Sequence, residues 1–356
     1  MEPPSSYMVV GVMSGTSLDG VDMASCLFSR NGPHWTYSIQ AAECVPYPDS
    51  WREALSGAFY AGAEALAVLD NEYGAYLGTL LNDFINRNKL KPMLIASHGH
   101  TVFHRPDEGY TLQIGDGNEI VKKTGVVTVN DFRSLDVSIG GQGAPLVPVG
   151  DKLLFPAFPV CLNIGGIANV SFDRNEKRIA FDICPANQVL DFLAKKSGMT
   201  YDANGDMARV GNVDKELLKA LNALPFYKQA PPKSLGREWV ESLVMPMIKQ
   251  HQANVNDLLA TFTEHIAEQI SQSVVDLPSS RMLVTGGGAF NNYLIERLSK
   301  HTHHQVEIHE KDLVAFKEAL VFALLGLLRW LGETNVYCSV TGAVSDSCSG
   351  KIHLPG

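Results

Sequence analysis

The sequence predicts an α/β protein built as two domains, and three observations carry that expectation. Three strand-like runs open the chain, and beyond them helical and strand-like segments alternate, the pattern of a mixed sheet covered by helices. The second half starts over in the same manner, with a strand, a glycine turn and a returning strand. At 356 residues the chain is long for one core and comfortable for two.

The first two strands, 8–12 and 21–28, are joined by Gly15, Thr16, Ser17, Leu18, Asp19 and Gly20, with Val21 and Asp22 at the return, turn chemistry that makes a hairpin with a widened loop. Such a loop is dense in backbone N–H groups that no bulky side chain blocks, and Ser14, Thr16 and Ser17 add hydroxyl donors. That composition serves an ordinary polar turn as well as a cradle for phosphate oxygens. A carboxylate at Asp19 or Asp22 suits a magnesium ion that keeps part of its water shell. Residues 35–43 read as a third strand. Leu66, Leu69, Tyr73, Leu77, Leu80, Leu81 and Phe84 then recur at helical spacing, so a long amphipathic helix follows. A buried strand at 93–96 opens into Ser97-His98-Gly99-His100-Thr101, and a strand at 111–114, a helix at 116–123 and a valine-rich strand ending at Asn130 come next. Glycine and proline punctuate 131–145 as an interdomain crossing would. Beyond it, strands are expected at 160–164, 167–172, 179–183, 282–285 and 305–308, with helices at 186–196, 215–221, 237–249, 255–275, 292–299 and 315–330.

Composition narrows the function. A formal net charge of −9 without any lysine–arginine cluster argues against nucleic acid as a partner. The longest apolar helical stretch, 319–331, is too short to span a bilayer, and the first seven residues lack the basic-then-apolar pattern of a signal peptide. Six cysteines at 26, 44, 161, 184, 338 and 348 form no C-x-x-C pair, which points to reduced thiols in a cytoplasmic protein.

Three glycine-rich turns each follow a strand: Gly15 in the first hairpin, Gly165-Gly166, and Gly286 to Gly288. None is a Walker loop or a dinucleotide fingerprint, yet three in one chain suit a nucleotide held between two domains. Asp182, at the end of an apolar strand with a helix just beyond, is the expected catalytic carboxylate, able to accept a proton from water or a hydroxyl. Its plainer role is a helix cap. Glu318 lies at the start of an apolar helix, where an acid ordinarily serves the helix dipole. Arg133 sits beside an acid in a loop, which reads either as a surface ion pair or as a bidentate grip on an anion. His98, His100 and His104 surround glycine and proline and fit hydrogen bonding to a polar substrate better than zinc, while His301, His303, His304 and His309 read as a solvated connection.

Together these stretches resemble the anhydro-N-acetylmuramic acid kinases of the sugar kinase, heat-shock chaperone and actin superfamily. The matching segments are GVMSGTSLDGVD at 11–22, HGHTVFHRP at 98–106, QIGDGN at 113–118, DFRSLDVSIGGQGAPLVP at 131–148, LNIGGIANV at 162–170, FDICPAN at 181–187, KSLGRE at 233–238, GGGAFN at 286–291 and KEALVFALL at 317–325. The resemblance implies a two-lobed actin-like ATPase fold of ribonuclease H-like topology with an interdomain cleft, its lobes at 1–133 with 333–356 and at 134–332. It implies that the loop from Gly15 to Asp22, with Gly165 and Gly286, holds ATP and Mg2+. It makes Asp182 the base that activates water and sets His98, Arg133 and Glu318 at the sugar. A cytoplasmic homodimer acting on a small sugar in peptidoglycan recycling is the expected setting. A nucleotide-dependent switch without catalysis, or a kinase for a related amino sugar, are the alternatives. The stretch after Asp182 departs from the family's usual threonine-glycine-proline-glycine-asparagine, reading Ile183-Cys184-Pro185-Ala186-Asn187, and losing two glycines narrows backbone freedom there. His100 stands where glutamine is more common.

Overall fold

The apolar run at the start of the chain makes β1 (Ser6–Ser14), largely buried on both faces, as a central strand must be. It pairs antiparallel with β2 (Gly20–Asn31), which pairs antiparallel with β3 (His34–Pro46). The computed structural model describes residues 6–15 and 18–356, so Thr16 and Ser17 of the expected phosphate loop lie outside the described residues. After α1 (Asp49–Gly57), the helical periodicity is realised as α2 (Ala63–Arg87), which buries Tyr73, Leu77, Leu81 and Phe84. Next, β4 (Leu94–Ser97) lies parallel to β1. A two-stranded ribbon, β5 (His100–Arg105) and β6 (Tyr110–Ile114), follows. β5 was not expected, because its histidines and arginine hide the alternation of buried His100 and Val102. Then come α3 (Gly117–Thr124), capped by Asp116 accepting from Glu119 N–H, β7 (Thr128–Asn130), α4 (Ser134–Ser138) and α5 (Val147–Leu154).

The second set of strands is β8 (Val160–Ile164), β9 (Ile167–Arg174) and β10 (Lys177–Pro185), antiparallel neighbours in that order. Helices α6 (Asn187–Lys195), α7 (Asp206–Arg209), α8 (Lys215–Asn222), α9 (Arg237–Trp239), α10 (Met245–Gln250) and α11 (Val255–Ser273) follow. The single helix expected at 237–249 is interrupted by a π-helical turn, Val240–Val244. Pro246, in the first turn of α10, lacks the N–H that a regular ladder would need. β11 (Arg281–Thr285), α12 (Asn292–His301) and β12 (Gln305–Ile308) complete this part, with β11 parallel to both β8 and β12. α11 runs through the core, burying Leu259, Phe262, Ile266 and Ile270 against the strands.

The chain ends in α13 (Lys311–Leu331), α14 (Cys338–Thr341) and β13 (Lys351–His353), the last joining β7 as an edge strand. α13 begins earlier than expected and is broken at Phe316 (φ −113°, ψ 16°). It lies so close to the first sheet that a β-carbon on Gly11 would come within 1.8 Å of Ala319 O and one on Gly326 within 2.4 Å of the Ala96 side chain. Glycine at those positions is a packing requirement.

Two compact units result, residues 1–155 with 316–356 and residues 156–315. Sequence reasoning put the breaks at 133/134 and 332/333, but 134–155 and 316–332 pack with the first unit. The first unit's sheet runs β13-β7-β4-β1-β2-β3, and the second's runs β10-β9-β8-β11-β12. Each contains an antiparallel triplet flanked by two parallel strands, in the same relative order. The repeated opening of the two halves is therefore a repeated topology.

Candidate active site

In the first unit, the loop after β1 is tied down from below. Ser14 Oγ donates to Gly99 O at 2.8 Å, which joins the hairpin to the turn after β4. Leu18 takes positive φ (59°), and its N–H reaches Gly15 O at 3.4 Å. A β-carbon on Gly20 would come within 2.4 Å of Val45 O, so that position accepts only glycine. Asp22 is half-buried. Burial lifts its carboxyl above the usual range, the Cys44 thiol opposes the shift and Asp19 adds to it.

Arg133 makes no surface ion pair. The neighbouring acid, Asp131, pairs with Lys351 at 2.8 Å. Instead Arg133 Nε and Nη2 both address His98 Nε2, at 3.1 and 2.9 Å, and Nη1 donates to Gly143 O at 2.6 Å. These bonds use three of the five guanidinium N–H groups and leave one on each terminal nitrogen, enough for a bidentate grip on a carboxylate. Burial, with the Arg133 charge second, pushes His98 down to about 3, so its imidazole is neutral and Nε2 is an acceptor. Arg133 itself is pushed down to about 10 by burial. His98 is buried behind the arginine rather than presented to solvent.

The glycine stretch read as an interdomain crossing is a support for that arginine. It wraps the fully buried Asp136, whose carboxylate accepts from Gly143 N–H and Thr341 Oγ1, each at 2.8 Å. A β-carbon on Gly141 would come within 2.1 Å of Asp136 Oδ2. The loop thereby aims Gly143 O at Arg133.

Glu318 stands two residues past the break in α13. It reaches solvent yet is densely surrounded by protein, and burial raises its carboxyl while Asp22 adds to the rise and Lys317 and Arg133 oppose it. Lys317 pairs with Asp151 at 2.6 Å, both side chains buried. Among the described residues of the first unit, Ser97 Oγ, His100 Nδ1 and Gln113 Oε1 are buried without a hydrogen-bond partner. His100 is held neutral, pushed down to about 4 by burial.

In the second unit, Gly165 and Gly286 meet at Asn163 and Ile164. A β-carbon on Gly286 (φ 81°) would lie 2.7 Å from both Asn163 Oδ1 and Ile164 O, whereas one on Gly165 has room. The carbonyls of Gly165 and Gly166 accept from Asn187 and Ala186 N–H at 3.1 and 2.8 Å, fixing the start of α6. Asp182 is not a helix cap: α6 is preceded by Ala186 and has no side-chain cap. Its carboxylate Oδ2 accepts from Ser234 Oγ at 2.9 Å and Leu235 N–H at 2.8 Å. Oδ1 accepts no hydrogen bond among the described residues. Burial raises its carboxyl, and those two donors hold the rise in check. Neither Cys184 nor Ala186 takes positive φ, so the backbone beside Asp182 accommodates both β-carbons.

Other expectations are revised in part. The histidines near 301 lie on or beside the connection from α12 to β12, with His301, His303 and His309 exposed as expected; His304 alone is buried, and His301 Nε2 meets Glu264 Oε1 at 2.8 Å. Glu264, Glu268 and His301 have ligand atoms within 4.8 Å of one another, but Glu264 is gripped by Arg297 at 2.6 and 2.8 Å. All six cysteines are free. No described helix is long and apolar enough to cross a membrane. Sequence reasoning gave no role to Ser234, Leu235, Asn163 or Asp136; for Ser234 and Leu235 the signal was the segment 233–238, which carried the resemblance without a function.

The first unit thus carries a glycine loop after its opening strand and an arginine with free donors suited to an anion, and the second, taken by itself, carries two glycine turns and a half-held carboxylate. A family profile described as anhydro-N-acetylmuramic acid kinase matches residues 7–355. Proteins named anhydro-N-acetylmuramic acid kinase are 35% identical over 97% of this chain and 98% of the relative in Synechocystis, and 37% identical over 97% and 96% in Pasteurella multocida. The chain belongs to the anhydro-N-acetylmuramic acid kinase family. Among solved structures, a ROK family glucokinase from Streptomyces griseus in complex with glucose and AMPPNP is similar over 90% of this chain and 99% of that one, at 11% identity and a TM-score of 0.42.

Proposed function

We propose that this chain is an ATP-dependent kinase that opens the 1,6-anhydro ring of 1,6-anhydro-N-acetylmuramic acid with water and phosphorylates the freed O6, giving N-acetylmuramic acid 6-phosphate in peptidoglycan recycling. The observation that carries the reading is the family match from residue 7 to 355. In the second unit, Asp182 takes a proton from the attacking water through Oδ1 while Oδ2 stays bonded. Water oxygen bonds to C1, the C1–O6 bond breaks, and O6 attacks the γ-phosphorus as the bond to the ADP oxygen breaks. In the first unit, the free fork of Arg133 grips the lactyl carboxylate, with Glu318 and the neutral His100 as polar contacts for the sugar; His98 positions the arginine. The loop at Gly15 to Asp22, with Thr16 and Ser17, and the turns at Gly165 and Gly286 hold the triphosphate.

Asp19 and Asp22 fit a hydrated magnesium ion, since Asp22 is lifted partly by Asp19 and in turn lifts Glu318, a repulsion that a cation relieves. When bound, the ion would offset charge on the triphosphate. The setting is the cytoplasm and the state a homodimer, which sedimentation velocity checks.

The test is consumption of the anhydro sugar with magnesium and ATP, compared with the same sugar lacking the lactyl group. The proposal expects ADP and a 6-phosphate from the first and a much higher KM for the second. Equal KM values would mean that Arg133 does not read the carboxylate. Absence of turnover with either sugar would overturn the assignment.

A further inference from the structure

We propose that the turn Lys233-Ser234-Leu235 is a positioning element for the proton acceptor: it holds Oδ2 of Asp182 and leaves Oδ1 as the oxygen that takes the proton. This rests on the reading of Asp182 as the base. The turn comes from a segment more than fifty residues along the chain, yet it meets β10 at three points. Ser234 Oγ and Leu235 N–H donate to Oδ2 at 2.9 and 2.8 Å, and Asp182 N–H donates back to Lys233 O at 3.1 Å. Lys233 anchors the turn on the other side. Its ammonium lies 4.6 Å from the Phe226 ring centroid and 5.6 Å from that of Phe181, and it donates to Phe226 O at 3.3 Å.

The strand itself is shaped for this arrangement. β10 shifts register against β9 between Asp182 and Cys184, and a bulge of this kind re-aims a side chain out of the regular alternation. Two donors on one oxygen fix the carboxyl plane, so the unbonded oxygen has one direction to face. The nearest titratable side chains are Cys184 on β10 and Lys233 on the turn, with Tyr227 beside Cys184 and bonded at 2.9 Å to His265 Nε2 on α11. Burial keeps the Cys184 thiol and the Tyr227 hydroxyl protonated, lowers Lys233 and pushes His265 down to about 3. The Cys184 thiol and the Tyr227 hydroxyl stay neutral where a carboxylate titrates, and His265 gains its charge only near 3, below the raised Asp182 carboxyl. Donors to the ionised form stabilise it, so the turn limits the rise that burial imposes on Asp182.

The experiment compares Ser234→Ala and Ser234→Thr in the full chain by two readouts. The first is the carbon-13 titration of the Asp182 carboxyl, assigned with Asp182→Asn, which needs no turnover. The second is the pH profile of kcat against that of KM for the anhydro sugar. Ser234→Ala should raise the carboxyl midpoint and the acid limb together by about half a unit to one unit, with KM unchanged, and Ser234→Thr should restore both. A midpoint that stays in place in Ser234→Ala overturns the proposal, as does a change confined to KM. If Asp182→Asn keeps its turnover, the base assignment fails, whereas the titration still reports whether the turn controls the carboxyl.

Discussion

Burial lifts the Asp182 carboxyl above its ordinary 3.8, and a general base works only when ionised. Activity should therefore fall as pH drops through that raised value, giving an acid limb above the position of a solvated aspartate. Asp182→Asn should lose at least about 100-fold in kcat, measured by ADP release. Arg133→Lys keeps a charge but loses the fork, so KM for the lactyl-bearing sugar should rise about tenfold or more with kcat less affected. His98, already neutral, adds no limb of its own between pH 5 and 8. His100 offers a sharper contrast. It is buried with Nδ1 unpartnered, so His100→Leu should raise KM for the sugar several-fold while leaving the denaturation midpoint unchanged or higher. A stability loss above about 1 kcal/mol would mark it as a structural histidine.

At the scale of elements, the second segment of α13 is the piece that carries Glu318, and its depth on the first sheet depends on Gly11. Gly11→Ala forces the helix outward from Ala319 O and should cost about 1–3 kcal/mol, read as a lower denaturant midpoint with unchanged slope. Because the displaced helix bears Glu318, KM for the sugar should rise in the same variant. The hairpins and α2 were legible in the sequence because alternation and helical spacing are local signals, as were the apolar run at 160–164, ended by Gly165-Gly166, and the polar–apolar alternation at 305–308. The break at Phe316 and the π-helical turn at Val240–Val244 were not legible, since apolar spacing continues across both. β13, three residues with one isoleucine, carries no periodicity and exists only because β7 offers an edge. In the site, Asp182 could be picked out as a carboxylate at a strand end. Its partners could not, because a bond to Ser234 across 52 residues leaves no local pattern. Arg133 was visible as a cation, but its release from Asp131 depends on Lys351 near the other end of the chain.

For the whole molecule, the same strand order recurs in two units, and each contributes different chemistry. One holds Arg133, the acids Asp22 and Glu318 and the first glycine loop; the other holds Asp182 with the turns at Gly165 and Gly286. The coupled hydrolysis and phosphoryl transfer proposed above draws on both sets, since water must reach C1 as O6 reaches phosphorus. The most direct test is turnover of the anhydro sugar with magnesium and ATP in oxygen-18 water, sampled by mass spectrometry before the anomeric hydroxyl of preformed product exchanges. One labelled oxygen at C1 of the sugar 6-phosphate, with none in its phosphate, is the predicted result. Label released as inorganic phosphate, or a phosphorylated sugar without label at C1, would contradict it.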